Sequence, residues 1–270
     1  MLRPRIIPCL LVHKGGLVKT VRFKSPKYVG DPINAVKIFN EKEADELTVL
    51  DIDATINGAA PDYTLIQKLA AECRMPLCYG GGISTVTQAK QIVWLGVEKI
   101  ALGSAAINNT GLITDIAKMI GSQSVVAVLD IRKKSGLFTS GYELCSHNAT
   151  KSYKHDVLAM AKELELAGAG EIMINCVDRD GEMRGYDLDL AKKMRELLTV
   201  PMTMLGGAGS LQDLSDLFAA CGIVGGAAGS LFVFKGKFRA VLINYPSKSQ
   251  KDEIYLNHSD LKVIETNVRK

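Results

Sequence analysis

One stretch occurs twice in this 270-residue chain, and the repeat constrains the fold more than any other feature. Cys78-Tyr79-Gly80-Gly81-Gly82-Ile83-Ser84 returns as Met204-Leu205-Gly206-Gly207-Ala208-Gly209-Ser210. Each copy follows a short apolar run and precedes a helical pattern, at 86–95 and 211–220. A second pair follows, Ala101-Leu102-Gly103-Ser104-Ala105 and Ala228-Gly229-Ser230-Leu231. Glycine backbone at a helix start lets several N–H groups converge on one anion, and the helix dipole favours negative charge there. Tight turns need glycine as well. Two copies of a two-part loop set nevertheless point to two phosphate cradles. Gly81, Gly82, Gly103 and Ser104 belong to the first, and Gly206, Gly207, Gly209, Gly229 and Ser230 to the second.

The repeat has a measurable offset. Glu46 and Glu171 lie 125 residues apart, as do Pro76 and Pro201; Gly80/Gly206 and Gly103/Gly229 lie 126 apart. Solenoid repeats have periods of roughly 20–50 residues, so this offset indicates a half-domain copied once. Apolar, β-branched runs predict strands at 6–11, 47–52, 77–79, 99–102, 125–130, 171–175, 202–205 and 225–228. Helical patterns fall between them at 32–43, 62–73, 86–95, 110–120, 155–167, 188–198 and 211–220. Asp31 before Pro32 reads as an N-cap followed by proline at the first helical position. Eight strands alternating with helices give α/β architecture with a parallel sheet, and eight is the number that closes a (β/α)8 TIM barrel. A doubly wound open sheet is the alternative. The even two-half repeat favours closure, with residues 1–246 as the barrel and 247–270 as a mobile polar C-terminal tail.

Composition narrows the function. The hydrophobic fraction of 47% supplies a sizeable core. A net charge of +4, with the basic residues spread out, does not indicate a nucleic-acid partner. A chain that enters structure at once, with no signal peptide and no membrane-length apolar run, is expected to be cytoplasmic without a membrane role. The six cysteines show no CxxC and no zinc spacing; Cys9, Cys78 and Cys176 read as small buried hydrophobes. No metal and no cofactor is expected.

Two insertions break the alternation. Residues 13–30 are long, glycine-rich and basic, with Lys14, Lys19, Arg22, Lys24 and Lys27. They fall at the strand C-terminal face, where barrel chemistry occurs, and such loops are usually lids or disordered. Residues 132–154 carry Phe138, Tyr142 and Leu144 in loose alternation and suggest a small hairpin. After residue 235 no convincing amphipathic eighth helix appears.

The acids at strand C-terminal ends are Asp51, Asp53, Asp130, Asp178 and Asp180. Asp130 ends the run Val125-Val126-Ala127-Val128-Leu129, at the mouth of an apolar interior, where a carboxyl pKa can rise into the general acid/base range. The bland alternative is a carboxylate bonded to loop amides or paired with Arg132. Asp180, before Gly181, reads more simply as a turn residue. His13 stands near the mouth, where a loop histidine is more often solvated surface, and His147, His155 and His258 carry no pattern. At the opposite strand ends, Arg5, Glu46, Lys99 and Glu171 each precede an apolar run. They could close the barrel floor as an ion-pair ring, and stability is the default explanation on that face.

With these residues in hand, the chain resembles the cyclase subunit of imidazole glycerol phosphate synthase from Arg5 to about Phe234. Arg5-Ile6-Ile7-Pro8-Cys9-Leu10, Gly30-Asp31-Pro32, Asp45-Glu46-Leu47, Gly80-Gly81-Gly82-Ile83, Gly121-Ser122-Gln123, Gly168-Ala169-Gly170-Glu171-Ile172, Asp178-Arg179-Asp180-Gly181, Gly185-Tyr186-Asp187 and Gly206-Gly207-Ala208-Gly209 carry the likeness. The resemblance implies a (β/α)8 barrel, a substrate with two phosphates, and a glutaminase subunit docked on the floor that sends ammonia through the barrel. It makes Arg5, Glu46, Lys99 and Glu171 an ammonia gate and turns Glu98 towards the glutaminase. Lys19, Asp51, Asn175, Asp178 and Asp180 become further substrate-site positions.

The departures shape the expectation. The family uses two catalytic aspartates, at the ends of strands one and five; Asp130 matches the second, and Leu11 stands at the first. Leucine cannot transfer a proton. Gly103 and Leu205 replace polar residues expected in the phosphate loops. The chain is similar to cyclase-like proteins of bacterial surface-polysaccharide clusters in Leu10-Leu11-Val12-His13, in Lys27-Tyr28-Val29-Gly30 and from Gly229 through Pro246. That resemblance implies ammonia relay, with a sugar amidotransferase as a second partner that forms an acetamidino group, and little chemistry in the barrel itself. A histidine-pathway cyclase with a substituted acid and a non-catalytic glutaminase-activating scaffold are the two other readings.

Overall fold

Parallel strands buried on both faces leave only alternation to sort their side chains, and this sheet sorts them into two apolar layers. The computed structural model describes residues 3–134 and 141–256. In chain order the strands are β1 (Arg5–His13), β2 (Gly16–Val21), β3 (Lys24–Gly30), β4 (Leu47–Asp51), β5 (Leu77–Gly80), β6 (Lys99–Leu102), β7 (Val125–Lys133), β8 (Tyr142–Ser146), β9 (Lys151–Tyr153), β10 (Glu171–Cys176), β11 (Met202–Leu205), β12 (Gly225–Ala228), β13 (Phe234–Lys235) and β14 (Ala240–Val241). The helices are α1 (Pro32–Glu41), α2 (Tyr63–Glu72), α3 (Val86–Trp94), α4 (Ser104–Asn108), α5 (Thr110–Ile120), α6 (Val157–Leu166), α7 (Leu188–Leu197), α8 (Leu211–Cys221), α9 (Ser230–Val233) and α10 (Lys248–Leu256). No helix among the described residues is long and apolar enough to cross a membrane.

Eight strands pair in parallel in the order β10-β11-β12-β1-β4-β5-β6-β7, and pairing of β7 with β10 closes the barrel. Ile7, Cys9, Cys78, Ala101, Val126, Val128, Met173, Leu205 and Ala227 form the inner layer, with Leu11 and Leu50 packed on it. Their neighbours Ile6, Leu10, Val49, Ile100, Ala127 and Ile174 face the helices. Each fully buried Val, Leu or Ile contributes about 1.5–3 kcal/mol. Helix starts follow the predicted chemistry. Asp31 caps α1 through the Asn34 N–H, with Pro32 in the first turn. Thr85/Gln88 and Ser210/Asp213 form matching capping boxes on α3 and α8. The repeated glycine loop therefore leads into the same cap in both halves.

Both insertions are antiparallel extensions of barrel strands. β2 pairs with β1 and β3, and β8 pairs with β7 and β9. Of the aromatic residues predicting the second hairpin, Tyr142 lies on β8 and Phe138 falls outside the described residues.

The expected mobile tail needs correction at its start. Residues 248–256 form α10, whose buried face is supplied by Lys251, Ile254 and Tyr255. Tyr255 packs on Phe218 of α8 with ring centroids 6.2 Å apart, and the Lys251 ammonium reaches Asp45 at 2.9 Å and the Glu43 carbonyl at 3.2 Å. Tyr245 seals the approach: its hydroxyl donates to the Ile6 carbonyl and accepts from the Asp45 N–H. α10 thus fills the eighth helical position of the outer ring. Its sequence hides this because a lysine that buries its stem reads as polar. Residues 257–270 of the expected tail lie outside the described residues.

Candidate active site

A cavity opens at the carboxyl ends of the barrel strands. Leu11, Lys19, Asp51, Gly81, Gly103, Ser104, Asp130, Asn175, Asp180 and Gly229 all line it. Leu11 ends the inner layer of β1, paired with Leu50 of β4, so the position expected to carry an acid presents a half-buried aliphatic side chain.

Asp130 lies on β7 beside Asn175 of β10, whose amide donates to its Oδ1 at 2.9 Å. The pairing with Arg132 does not form; Arg132 binds Glu143 instead. Burial pushes the Asp130 carboxyl up to about 7; the Asn175 bond opposes this and the Asp180 charge adds to it. A group with that pKa both takes and gives a proton near neutrality. A raised carboxyl pKa means that ionisation costs the folded state stability. The cost is absent below the ordinary value of 3.8, grows as pH rises, and is complete above about 7. Asp130→Asn is therefore expected to leave the melting temperature unchanged near pH 4 and to raise it by a few degrees at pH 8. Calorimetry across that range checks the sign.

The two hairpins roof this cavity reciprocally. β2–β3 springs from the first half and docks on the loop after β10: the Thr20 hydroxyl and Phe23 N–H donate to the Asp180 carboxylate, and the Arg22 N–H donates to the Asp180 carbonyl. Gly181, at φ +69°, lets the chains close, since a Cβ there would fall 2.1 Å from the Thr20 carbonyl oxygen. β8–β9 springs from the second half and docks on the loop after β4, where the Asn148 amide donates to the Ile52 carbonyl at 3.2 Å. Asp180 thus fastens the roof rather than serving only a turn.

Lys19 is carried inward by β2. Its buried ammonium donates to the Cys9 carbonyl at 2.6 Å and lies 2.4 Å from where a Gly229 Cβ would stand. Burial lowers the Lys19 pKa, with Asp180 opposing it. Asp51 is pushed upward by burial while its Oδ1 accepts from the Asp53 and Ala54 N–H groups.

Not every expected residue faces the cavity. Asp178 lies in a second cavity, where its carboxylate accepts from the Lys133 N–H; this removes it from the mouth. Gly206, Gly207 and Gly209 are packed under the loop after β10, since Cβ atoms there would fall 2.6 Å from the Cys176, 2.2 Å from the Gly185 and 2.4 Å from the Met183 carbonyl oxygens. Gly82 is packed likewise against Ala59, and Ser230 is buried outside the lining. The cavity lining retains Gly81, Gly103, Ser104 and Gly229 of the predicted cradles. Ser146, His147 and Asn148 join it without having been foreseen. Their place follows from strand register: Leu11 pairs with Val18 and Asp130 with Cys145, so Ser146 and His147 are the counterparts of Lys19 and Thr20.

At the opposite end the four floor residues meet. Arg5 reaches Glu171 at 2.8 Å and Glu46 at 2.5 Å, and Lys99 reaches each carboxylate at 2.9 Å. The Thr203 hydroxyl donates to Glu171 at 2.5 Å. Burial works to raise the Glu171 carboxyl, but Arg5 and Lys99 outweigh it and hold it at about 2. Glu171 therefore stays charged across the physiological range. Above it lies the apolar inner layer, in which the small Cys78, Ala101 and Ala227 alternate with the larger Ile7, Val126, Val128 and Met173, together with Thr48, whose buried hydroxyl has no partner among the described residues. Glu98 is exposed and its carboxylate accepts from the Leu77 N–H. Trp94, Met119 and Leu166 stand exposed at the last turns of α3, α5 and α6, on the same floor side.

Fold and site together define a closed (β/α)8 barrel with an open cavity at the strand carboxyl ends and an ion-paired floor. Residues 5–239 match the family model described as histidine biosynthesis protein, and the chain belongs to that family. It is 56% identical over 251 residues to a Vibrio vulnificus protein provisionally named imidazole glycerol phosphate synthase subunit hisF3, covering 93% of this chain and 96% of the relative. A Leptospira interrogans protein provisionally named the HisF subunit is 57% identical, covering 94% and 100%. The HisF subunit of Exiguobacterium sibiricum, named without that proviso, is 38% identical over 216 residues, covering 80% and 85%.

Proposed function

We propose that this chain is the ammonia-accepting, cyclase-type subunit of a glutamine-dependent synthase, in the manner of the imidazole glycerol phosphate synthase subunits it resembles. A glutaminase docks on the floor, with Glu98 at the contact, ammonia passes Arg5, Glu46, Lys99 and Glu171, and a phosphorylated acceptor waits at the mouth. The observation that carries this is the coaxial arrangement of a buried ion-pair ring, an apolar inner layer and a polar cavity. A ring that only stabilised the fold could be replaced by apolar packing. At the mouth Asp130 exchanges the proton that ammonia must lose on adding to a carbonyl, and Asn175 keeps its carboxylate oriented.

A second reading follows from Leu11 and from the higher identity to the provisionally named relatives. In it the barrel relays ammonia to an amidotransferase that builds an acetamidino group on a surface-polysaccharide sugar. The test supplies labelled glutamine and the partner glutaminase, then follows the nitrogen. Label in the cyclised histidine precursor supports the first reading, and label in a sugar N-acyl acceptor supports the second. Label reaching neither acceptor overturns both.

A further inference from the structure

The large apolar side chains that stand exposed among the described residues sort to the two ends of the barrel. Trp94, Met119 and Leu166 end helices on the floor side, and Ile223 lies there just beyond α8. Val21, Tyr28, Ile56, Phe238, Val241 and Leu242 lie on the loops and hairpins of the mouth side. Phe238 is 92% exposed at the turn of β13–β14, and Tyr28 is 66% exposed on β3. Apolar groups gathered on one face and rimmed by polar residues mark an interaction site. The floor set belongs to the glutaminase contact already described. The mouth set has no such role yet.

Its two aromatics stand on a built base. The buried Phe234 ring meets the Lys27 ammonium at 5.4 Å and the Arg239 guanidinium at 4.9 Å, which ties β2–β3 to β13–β14. Arg239 also donates to the Gly181 carbonyl at 3.1 Å, in the loop after β10. The Tyr28 ring lies against Gly16, where a Cβ would fall 2.7 Å from its Cε2. Aromatic groups held in place lose little freedom on binding and serve as anchors. The charge of the face is one-sided. Residues 14–30 carry five lysines and arginines and no acid, and residues 230–246 carry three and no acid. Lys24, Lys27, Lys235 and Lys237 are exposed, and Glu182 beside them is taken up by Arg22 and Arg184.

We propose that the mouth end is a second protein-docking face, which takes an acidic partner across the hairpins β2–β3 and β13–β14. The partner's identity rests on the second reading above, in which it is the sugar amidotransferase. Phe238 and Tyr28 are the apolar anchors, and the lysines around them set the partner's charge. A second copy docked mouth to mouth would set lysine against lysine. An anionic bilayer suits the lysines, but it would press phosphates over Asp51, Asp130 and Asp180 inside the rim. A protein can meet the rim with carboxylates and leave that recess clear.

The test passes the sugar amidotransferase of the same genome, and separately the glutaminase, over the immobilised full chain and reads affinity and association rate by surface plasmon resonance. Wild type is expected to bind the amidotransferase, less tightly as salt rises. Phe238→Ser with Tyr28→Ser should weaken that complex by about thirtyfold or more. Lys24→Glu with Lys237→Glu should slow its association by about tenfold. Glutaminase binding and the melting temperature should stay as they were in both variants, whose substituted positions are exposed. Trp94→Asp should do the reverse, weakening the glutaminase and sparing the amidotransferase. Amidotransferase binding that ignores the mouth variants, or no binding at all, overturns the proposal. So does Phe238-dependent self-association of the chain, or its pelleting with phosphatidylserine vesicles. Labelled nitrogen reaching the sugar while binding ignores these variants would sink this inference and leave the second reading standing. Mouth-dependent binding with no label in the sugar would sink that reading alone.

Discussion

Replacing Glu171 by leucine is expected to lower the stability of the barrel by about 3–5 kcal/mol, because it leaves Arg5 and Lys99 sharing a single buried carboxylate. For a chain of this size the melting temperature falls by roughly 10 °C. Both carboxylates of the ring are about 3% exposed, so water cannot replace the lost partner. The Thr203 hydroxyl, which donates to Glu171, loses its acceptor as well. Thermal unfolding of the variant beside Lys235→Met, an exposed control, checks the size of the loss. The more informative construction replaces Arg5, Glu46, Lys99 and Glu171 together by apolar residues of similar volume. Buried ion networks replaced in this way often recover their stability. Such a variant is expected to fold well and to accept free ammonium, yet to lose glutamine-driven transfer. Intact transfer would show that the ring serves only the fold.

The second large effect is a gain. Leu11→Asp is expected to raise ammonium-dependent cyclisation of the histidine-pathway precursor by about 10²–10⁴-fold, the usual worth of a positioned acid/base. Leu11 lines the cavity with Asp130 and is close to aspartate in size, so the carboxylate enters without displacing the wall. Its position on the half-buried rim keeps the desolvation cost near about 1–2 kcal/mol. Steady-state rates of wild type and variant at saturating ammonium decide it. A wild type already as fast as the variant would mean that another group does the work at this position.

How much of this was readable from residues alone divides along physical lines. The eight barrel strands were, because strands buried on both faces appear as apolar runs wherever they lie. The floor ring was legible too, since Arg5, Glu46, Lys99 and Glu171 each precede such a run and strand direction then puts them at one end. What alternation cannot show is how loops fold over one another. Asp178 and Asp180 are two residues apart, yet the first turns to the Lys133 N–H and the second to Thr20. Gly206, Gly207 and Gly209 read as an anion cradle, but most of their freedom is used to admit the chain at Met183 and Gly185. Helix α10 escaped notice because its buried face includes Lys251, whose partner Asp45 lies two hundred residues away in sequence. His147 escaped because its place follows from the register of β7 with β8, which no local pattern reveals.

Whether the floor serves a glutaminase is tested most directly by glutamine hydrolysis by the glutaminase subunit of the same genome, titrated with this chain. Hydrolysis is expected to rise and to saturate at one barrel per glutaminase. The midpoint should move to higher concentration when Trp94→Asp and Glu98→Lys alter the floor rim, while ammonium-driven chemistry at the mouth stays as it was. Hydrolysis that stays flat as the barrel is added, with the two chains sedimenting apart, would contradict the account.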